Sequence, residues 1–529
     1  MNLRKLIKLF LRYPTPFTRK LVDSDPLLTI KRKKTTSNDL LFQVTPDDFF
    51  LGMMRSILSD LQKAGHVETA DILVTRGVNA AVGIAASSWV TRTPIFNRVY
   101  MRPWVNCFKN SNSTVHGTNN TPIKIYLINI YNSYKIWADW KIHLKSQSTK
   151  KTIVFNDIKI DDLIIDTYLR FRPSAAFKVD DIFVWYLIHD SLNQIYTLNR
   201  IFRQKKYRSY LTSYTTYTTH GIPVRVAHNH GVRVYSFGNI SKFCQEITKE
   251  FPYHSQPPVK SEPNNTMHSK SVLRQARKGL RSRFSGKTDL ATAYMKRPAY
   301  HRTMGTGDAT DIEGSAVIFL HGFFDSPHMY DNFIFHDFDE WTKKTIQLLI
   351  KNDVKFCIKT HPNQMPESKK YTELLKEEYP KLNWLDPNVN NLSIIKNKPK
   401  IGITVYGTIA GELAYFGIPS ICCSTNPHSN FSFCKQASDE LQYCEAIKSI
   451  RQLSLNKNIK LGYRLEAIEY YSLRNSSGDH LEQELVQIYT NYWLLTKKNR
   501  DEHPSTALDM LSQLRRNKGY HNMLLRVLK

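Results

Sequence analysis

The stretch "IGITVYGTIAGELAYFGIPSICC" (401–423) decides the fold. An apolar run over 401–405 ends at Gly407 and Thr408, apolar residues at helical spacing fill 409–416, and a second apolar run follows a Gly-Ile-Pro turn over 419–423. That is strand, turn, helix, strand. Working back along the chain, strands are predicted over 316–320 and 354–360, with helices over 338–352 and 367–379. Strands that alternate with helices imply a parallel sheet covered on both faces. In such sheets ligands bind beyond the carboxyl ends of the strands, so three loops become the places to look for chemistry.

The first loop is "HGFFDSPH" (321–328), the second "KTHPN" (359–363), and the third opens "VYGT" (405–408). In the third, Gly407 lets the chain turn and a ligand approach the backbone. Thr408 is placed to cap the next helix, whose free N–H groups would face an anion. Glu412, one turn on, is a candidate acceptor for ribose hydroxyls. In the second, His361 is held by Pro362 at a strand end, where it can donate to a phosphate or leaving-group oxygen. In the first, Asp325 and His328 would meet on one face of a helical turn, as an acid–base pair or to orient one another.

The 45–250 region reads as a second α/β unit. Helical spacing runs over 47–63 and 182–204, and a short strand is predicted over 207–214. Residues 158–170 are mixed, and 220–238 read as loop, short helix and strand. Between these regions, 255–303 is rich in Pro and Asn, and seven Lys/Arg with no acid fall between Lys270 and Lys287. A solvated basic linker is the expectation there. Residues 451–529 read as helical and basic.

The formal net charge of +28 calls for an anionic partner: nucleic acid, an acidic membrane or a phosphate-bearing substrate. No helix-turn-helix, zinc-finger spacing or RNP-like strand supports nucleic acid. The seven cysteines include no CxxC pair, which argues for a reducing compartment and against a metal site. No apolar run approaches the roughly 18 residues of a membrane span, and the N-terminus lacks the features of a signal peptide. Leu3, Leu6, Ile7, Phe10 and Leu11 share one helical face among four basic residues, and Lys31–Lys34 follow. This segment is either an interfacial helix on an anionic membrane or a basic helix against its own domain.

"KTHPN", followed about forty residues later by "GTIAGELAYFGIPSI", resembles the capsule polysaccharide biosynthesis glycosyltransferases, in the GT-B group that includes the bacterial Kdo transferases. "DDLIIDTYLR" (161–170), "TYTTHGIPVRVAHNHGVRVY" (216–235), "RFSGKTD" (283–289) and "HGFFDSPHMYDNFIFHDFDEW" (321–341) are similar to segments of surface-carbohydrate biosynthesis proteins. Together they cover about 155–435. The resemblance implies two Rossmann-like domains facing across a cleft, here with a helical basic C-terminal extension. The expected division is a basic N-terminal segment (1–40), an acceptor-side domain (41–254), a linker (255–303), a nucleotide-sugar domain (304–450) and a helical region (451–529).

It further implies a nucleotide-sugar donor, CMP-sugars included, as co-substrate with no other cofactor, and a metal-independent, inverting transfer to a lipid-linked or polymeric glycan. His361 and Pro362 would meet the donor phosphate, and Gly407, Thr408 and Glu412 would complete the donor site. The catalytic base should come from the N-terminal domain. Asp166 is the first choice, with Arg170 one turn on, and His220 is the alternative. Asp161 and Asp162 read as helix caps. A cytoplasmic enzyme, peripheral on the inner membrane and serving a capsule assembly complex, is the corresponding expectation. A CDP-polyol phosphotransferase of teichoic-acid type and a non-catalytic scaffold are the alternatives.

Overall fold

The computed structural model describes residues 16–28, 40–44, 48–75, 101–108, 113–118, 120–146, 150–172, 174–238, 242–258, 270–287, 312–475, 484–491 and 504–528, with 289, 300 and 481. The N-terminal amphipathic segment and the Lys31–Lys34 run lie outside them. The chain forms two compact units. Unit 1 comprises 1–173, 178–254 and 484–529, and unit 2 comprises 174–177 and 255–483.

Unit 1 is built on β1 (Leu40–Val44), β2 (Asp71–Val74), β3 (Val115–Gly117), β6 (Ser209–Thr212), β7 (Arg233–Phe237) and β8 (Cys244–Ile247). They are ordered β3-β2-β1-β6-β7-β8. All neighbours are parallel except β8, which runs antiparallel to β7. A separate hairpin, β4 (Val154–Phe155) and β5 (Ile158–Lys159), turns at Asn156 and Asp157. Both turn residues have positive φ (48° and 61°), the left-handed conformation that Asn and Asp tolerate.

Unit 2 is built on β9 (Ala316–Phe319), β10 (Phe356–Lys359), β11 (Asn383–Leu385), β12 (Ile401–Ile403), β13 (Ser420–Cys423) and β14 (Cys434–Ala437). The order is β11-β10-β9-β12-β13-β14, and every pair is parallel. In both units the strand order reverses about the first strand, the doubly wound Rossmann order. The expected α/β fold with two Rossmann-like domains is therefore present. β9, β12 and β13 are buried on both faces, which is why they read as continuous apolar runs.

Three expectations change. The basic stretch is not a solvated linker at 270–284: a helix (Lys270–Phe284) buries Ala276 and Leu280 in unit 2 beside Ala467 and Tyr471. Its basic residues outnumber its apolar ones, yet the apolar ones share one face. The C-terminal region, read as one helical stretch, is helical but divides between the units. Helix Lys457–Asn475 belongs to unit 2, whereas helices Pro504–Arg516 and Lys518–Leu528 belong to unit 1.

The third change is at 220–238, where the helix begins at Tyr217 and runs through Gly221 and Pro223 to Asn229. Close packing makes this helix fit. A Cβ at Gly221 would lie 2.4 Å from Leu163 Cδ2 and 2.7 Å from the Thr215 carbonyl oxygen. Gly221→Ala should therefore lower unit 1 stability by about 1–2 kcal/mol, because overpacking outweighs the ~1 kcal/mol gain in helix propensity. Denaturant unfolding of the two proteins checks this; a more stable alanine variant would contradict the close approach.

Candidate active site

In each unit the reversal of strand order opens a crevice between the first and fourth strands of the six. In unit 2 it lies between β9 and β12. His321 stands just beyond β9, and its Nε2 sits 3.1 Å from Thr404 Oγ1, beyond β12. The backbone N–H groups of Val405 and Tyr406 also donate to Nε2, at 3.3 and 3.5 Å. An atom that accepts from N–H groups carries no proton, so the neutral ring bears its hydrogen on Nδ1. The ring stacks on Phe338 (centroids 4.9 Å apart, 8° between planes) and leans on Tyr406. Burial, with His361 nearby, pushes the His321 pKa down to about 3.

His361 follows β10 on the same rim. Its Nδ1 accepts from the Asn363 N–H at 3.2 Å, which leaves the proton on Nε2. Burial lowers its pKa, Asp325 opposes that and Lys359 adds to it. Lys359, on β10, donates to the carbonyls of Asp386 (3.1 Å) and Pro387 (2.6 Å), and burial pushes its pKa down to about 8. The rim thus offers two neutral imidazoles with opposite tautomers, each with one N–H that no described residue accepts. Such donors suit an anion in a partly dehydrated site. His321 escaped the sequence reading, although its loop did not. Its signal was the position: the first polar residue after an apolar strand.

Asp325 shares this rim, but no helix sets it over His328. The 321–334 segment is a succession of turns rather than a helix. Asp325 is exposed and its carboxylate takes the Ser326 N–H, while His328 is buried edge-on to Phe333. The helical turn expected to bring the two together is therefore absent.

Gly407 is required by its own turn. A Cβ there would lie 2.8 Å from Thr404 Oγ1, which the Gly407 N–H approaches at 3.3 Å. Thr408 does not cap the helix Ile409–Tyr415; it has helical dihedrals and no side-chain cap bond. Its hydroxyl instead donates to Glu412 Oε1 (3.1 Å) and accepts from Arg283 (3.0 Å). Glu412 is 5% exposed, with Oε1 on Arg283 and Oε2 on the Tyr300 hydroxyl. Arg283 also holds Asp289 at 2.8 Å. Burial presses the Arg283 pKa down, but Glu412 and Asp289 outweigh it and the guanidinium is held charged. The adjoining cavity of about 20 Å³, lined by Arg283, Thr408, Glu412 and Tyr470, has room for a water and not for a nucleoside. The ribose reading of Glu412 is accordingly revised: its carboxylate already serves an internal network.

In unit 1 the crevice lies between β1 and β6, and His220 sits there. Pro223, inside the helix, has no N–H to give the Thr219 carbonyl four residues back. Gln43 Nε2, from β1, approaches that carbonyl at 3.4 Å and reaches Thr75 Oγ1 at 3.1 Å. A carbonyl only accepts, so this end of the Gln43 amide is the NH₂ group. The other end, Oε1, takes the Thr212 hydroxyl and His220 Nδ1, the latter at 3.0 Å. His220 therefore carries its proton on Nδ1 and presents a bare Nε2, which makes no hydrogen bond among the described residues. That tautomer is the one a general base needs. Burial, with His254 adding to it, pushes the His220 pKa down to about 3. Tyr217, which opens the helix, holds φ at +63°, a conformation rarely adopted by a bulky residue.

Asp166 stands apart from this crevice in its burial. It is 1% exposed, in the helix Asp161–Phe171. Arg170 lies one turn on and is partly exposed. Asp161 and Asp162 are not caps; the N-cap position is Ile160. Asp161 accepts from the Ile153 N–H at 3.1 Å, and Asp162 takes both Nη atoms of Arg225 and the Tyr253 hydroxyl. Among the described residues no group of three or more His, Cys, Asp or Glu is arranged to hold a metal ion.

No protein-family model matches the chain, and no curated protein matches it in sequence. Solved structures do. Thermosulfurimonas dismutans KpsC, a β-Kdo 2,4 transferase, aligns at 11% identity and a TM-score of 0.31, over 51% of this chain and 79% of that one. The spinosyn rhamnosyltransferase SpnG, complexed with spinosyn aglycone, aligns at 9% and 0.27, over 83% and 98%. The Neisseria meningitidis UDP-GlcNAc 2-epimerase bound to UDP-GlcNAc aligns at 11% and 0.23, over 83% and 96%. At this level of likeness the fold assignment stands on strand order and register.

Proposed function

We propose that the chain is a glycosyltransferase that moves a sugar from a nucleotide-activated donor to a surface or capsular polysaccharide. The observation that carries this reading is a fixed imidazole in each unit at the reversal of strand order, one set to donate and one set to accept. In unit 2 the N–H groups of His361 and His321 would hold the donor phosphate, with Pro362 fixing the His361 turn and Gly407 the neighbouring one. Asp325 would tune His361 from the same rim. In unit 1 His220 would take the proton of the acceptor hydroxyl, in preference to the buried Asp166 and its neighbour Arg170. Thr408, Glu412 and His328 support the fold around the donor site. The transfer invokes no metal or cofactor, and inversion is expected if the acceptor oxygen displaces the nucleotide in one step. The lipid-linked or polymeric glycan, the anionic membrane surface and a capsule assembly complex are the proposed partners, in the cytoplasm.

A thermal-shift panel of CMP, CDP, UDP, GDP and ADP tests the donor half. One nucleotide at a hundred times its Kd should stabilise the wild type by about 2.7 kcal/mol. His361→Ala should lose that response while keeping its own melting temperature near that of the wild type. A panel without any response, or an undiminished one in the variant, would remove the donor site. The mass transferred to the acceptor then separates a sugar from a polyol phosphate.

A further inference from the structure

One helix of unit 1 carries large apolar side chains on its outer face. The helix Ile123–Ser146 buries Asn129, Ser133, Trp137 and Trp140. Asn129 is bonded across to Asn193 at 3.0 Å and Trp137 to the Val179 carbonyl at 2.6 Å. The opposite face carries Ile123, Leu127, Tyr131, Tyr134 and Ile142, exposed by 79, 59, 63, 56 and 68%. Their spacing of four, four, three and eight puts them on one stripe. A soluble surface rarely leaves such a stripe uncovered, so it marks a place where something docks.

Charge says what docks there. Lys124, Lys135 and Lys145 are exposed on the same helix, Lys141 lies over the Trp137 ring at 3.5 Å and Lys135 over Tyr131 at 5.4 Å. The helix has one acid, Asp139, and it is paired with Lys151. Asp180 takes Lys145 at 3.2 Å, so a second copy meeting this face about a two-fold axis would bring Lys124, Lys135 and Lys141 against each other with no unpaired acid on the helix to answer them. Tyrosines among apolar residues and lysines are instead the composition of a helix lying in an anionic lipid interface. At about 36 Å the helix is long enough to cross a bilayer, but its lysines bar that, and no described helix is apolar enough to span.

We propose that the outer face of Ile123–Ser146 is a docking surface for an anionic lipid bilayer, the helix lying in the plane of the headgroups. This rests on the membrane association proposed above and assigns it to a site in unit 1 remote in sequence from the basic N-terminal segment. The test is flotation of the full chain with vesicles of phosphatidylcholine, alone or mixed with phosphatidylglycerol. The wild type should float with the mixed vesicles and not with the neutral ones. L127E/Y131E, two changes on exposed side chains, should bind at least about tenfold more weakly, and K124E/K135E about tenfold. Both should melt as the wild type does, which separates lost docking from lost folding. A K124E/K135E or L127E/Y131E protein that floats as well as wild type overturns this site alone. Wild type that fails to float overturns both this and the membrane reading; wild type that floats equally with neutral vesicles overturns the anionic docking surface alone. If wild type is dimeric and L127E/Y131E monomeric with flotation intact, the face is a self-interface and the proposal fails.

Discussion

Replacing Arg283 by Met is expected to cost the chain about 3–5 kcal/mol of stability. The reason is what the change leaves behind. Glu412 is 5% exposed and Asp289 sits at 2.8 Å from the guanidinium. Without Arg283, the Tyr300 and Thr408 hydroxyls still reach Glu412, but hydroxyls cannot neutralise a buried carboxylate. Removing the orphaned charge as well should recover most of the loss, so R283M/E412Q is expected to be more stable than R283M alone. Urea unfolding of the wild type, both single variants and the double variant measures the coupling. A single variant within about 1 kcal/mol of wild type would mean that water already neutralises the network. The cycle also bears on function: if Glu412 is structural, E412Q will change stability more than nucleotide affinity.

His220→Ala should lower the rate of transfer by about 10²–10⁴-fold, the range for a lost general base. Gln43→Ala should cost less, about tenfold, because the imidazole remains and only its tautomer is freed. Loss in kcat with little change in KM is expected in both, measured as release of the nucleotide that the thermal-shift panel identifies. The pH dependence carries a separate signature. His220 has its pKa pushed down to about 3 by burial, so it is neutral from below pH 5 upward. The rate should therefore show no acid limb near pH 6.5, the ordinary histidine range. Gln43→Glu places a carboxylate against Nδ1, raises the imidazole pKa and should bring that limb into view. A His220→Ala enzyme within threefold of wild type would return Asp166 to first place.

Much of unit 2 was legible because its central strands are buried on both faces and have a Gly or Pro within a few residues of one end. The strand and helix between Ile401 and Tyr415 needed no tertiary information to find. The edge strands β11 and β14, "NWL" and "CKQA", were not legible: short, polar strands look like loops until a neighbour supplies the hydrogen bonds. Tyr217–Asn229 was hidden for a different reason. Gly221 and Pro223 are helix breakers, and the helix survives because Gly221 fits under Leu163 and because Gln43 takes up the carbonyl that Pro223 releases. Both reasons lie outside the segment.

The candidate site divides in the same way. His361 and Gly407 could be found because strand ends are predictable. The occupation of Glu412 could not be, since Arg283 and Tyr300 lie 129 and 112 residues away in sequence. Thr408 and Asp325 carry the same lesson: sequence places a polar residue on a rim, but only packing decides whether it faces the ligand, the solvent or another side chain.

The chain leaves unit 1 at His254 and returns to it at Glu484, after the whole of unit 2 has been made. Its last helix is not an ornament on that unit. Ser209, the first residue of β6, donates to the Val527 carbonyl at 2.7 Å, and Tyr235 on β7 donates to Arg526. Arg515 and Tyr520 close on Asp60, and Tyr489 on Gly238. On a ribosome, where synthesis runs from the N-terminus at about 5–20 residues per second, the domain begun first is thus the one finished last. For the seconds in which unit 2 emerges, the β6–β7 part of the nascent first domain waits for its cover, and that interval is when the protein is most open to misassembly or to a chaperone.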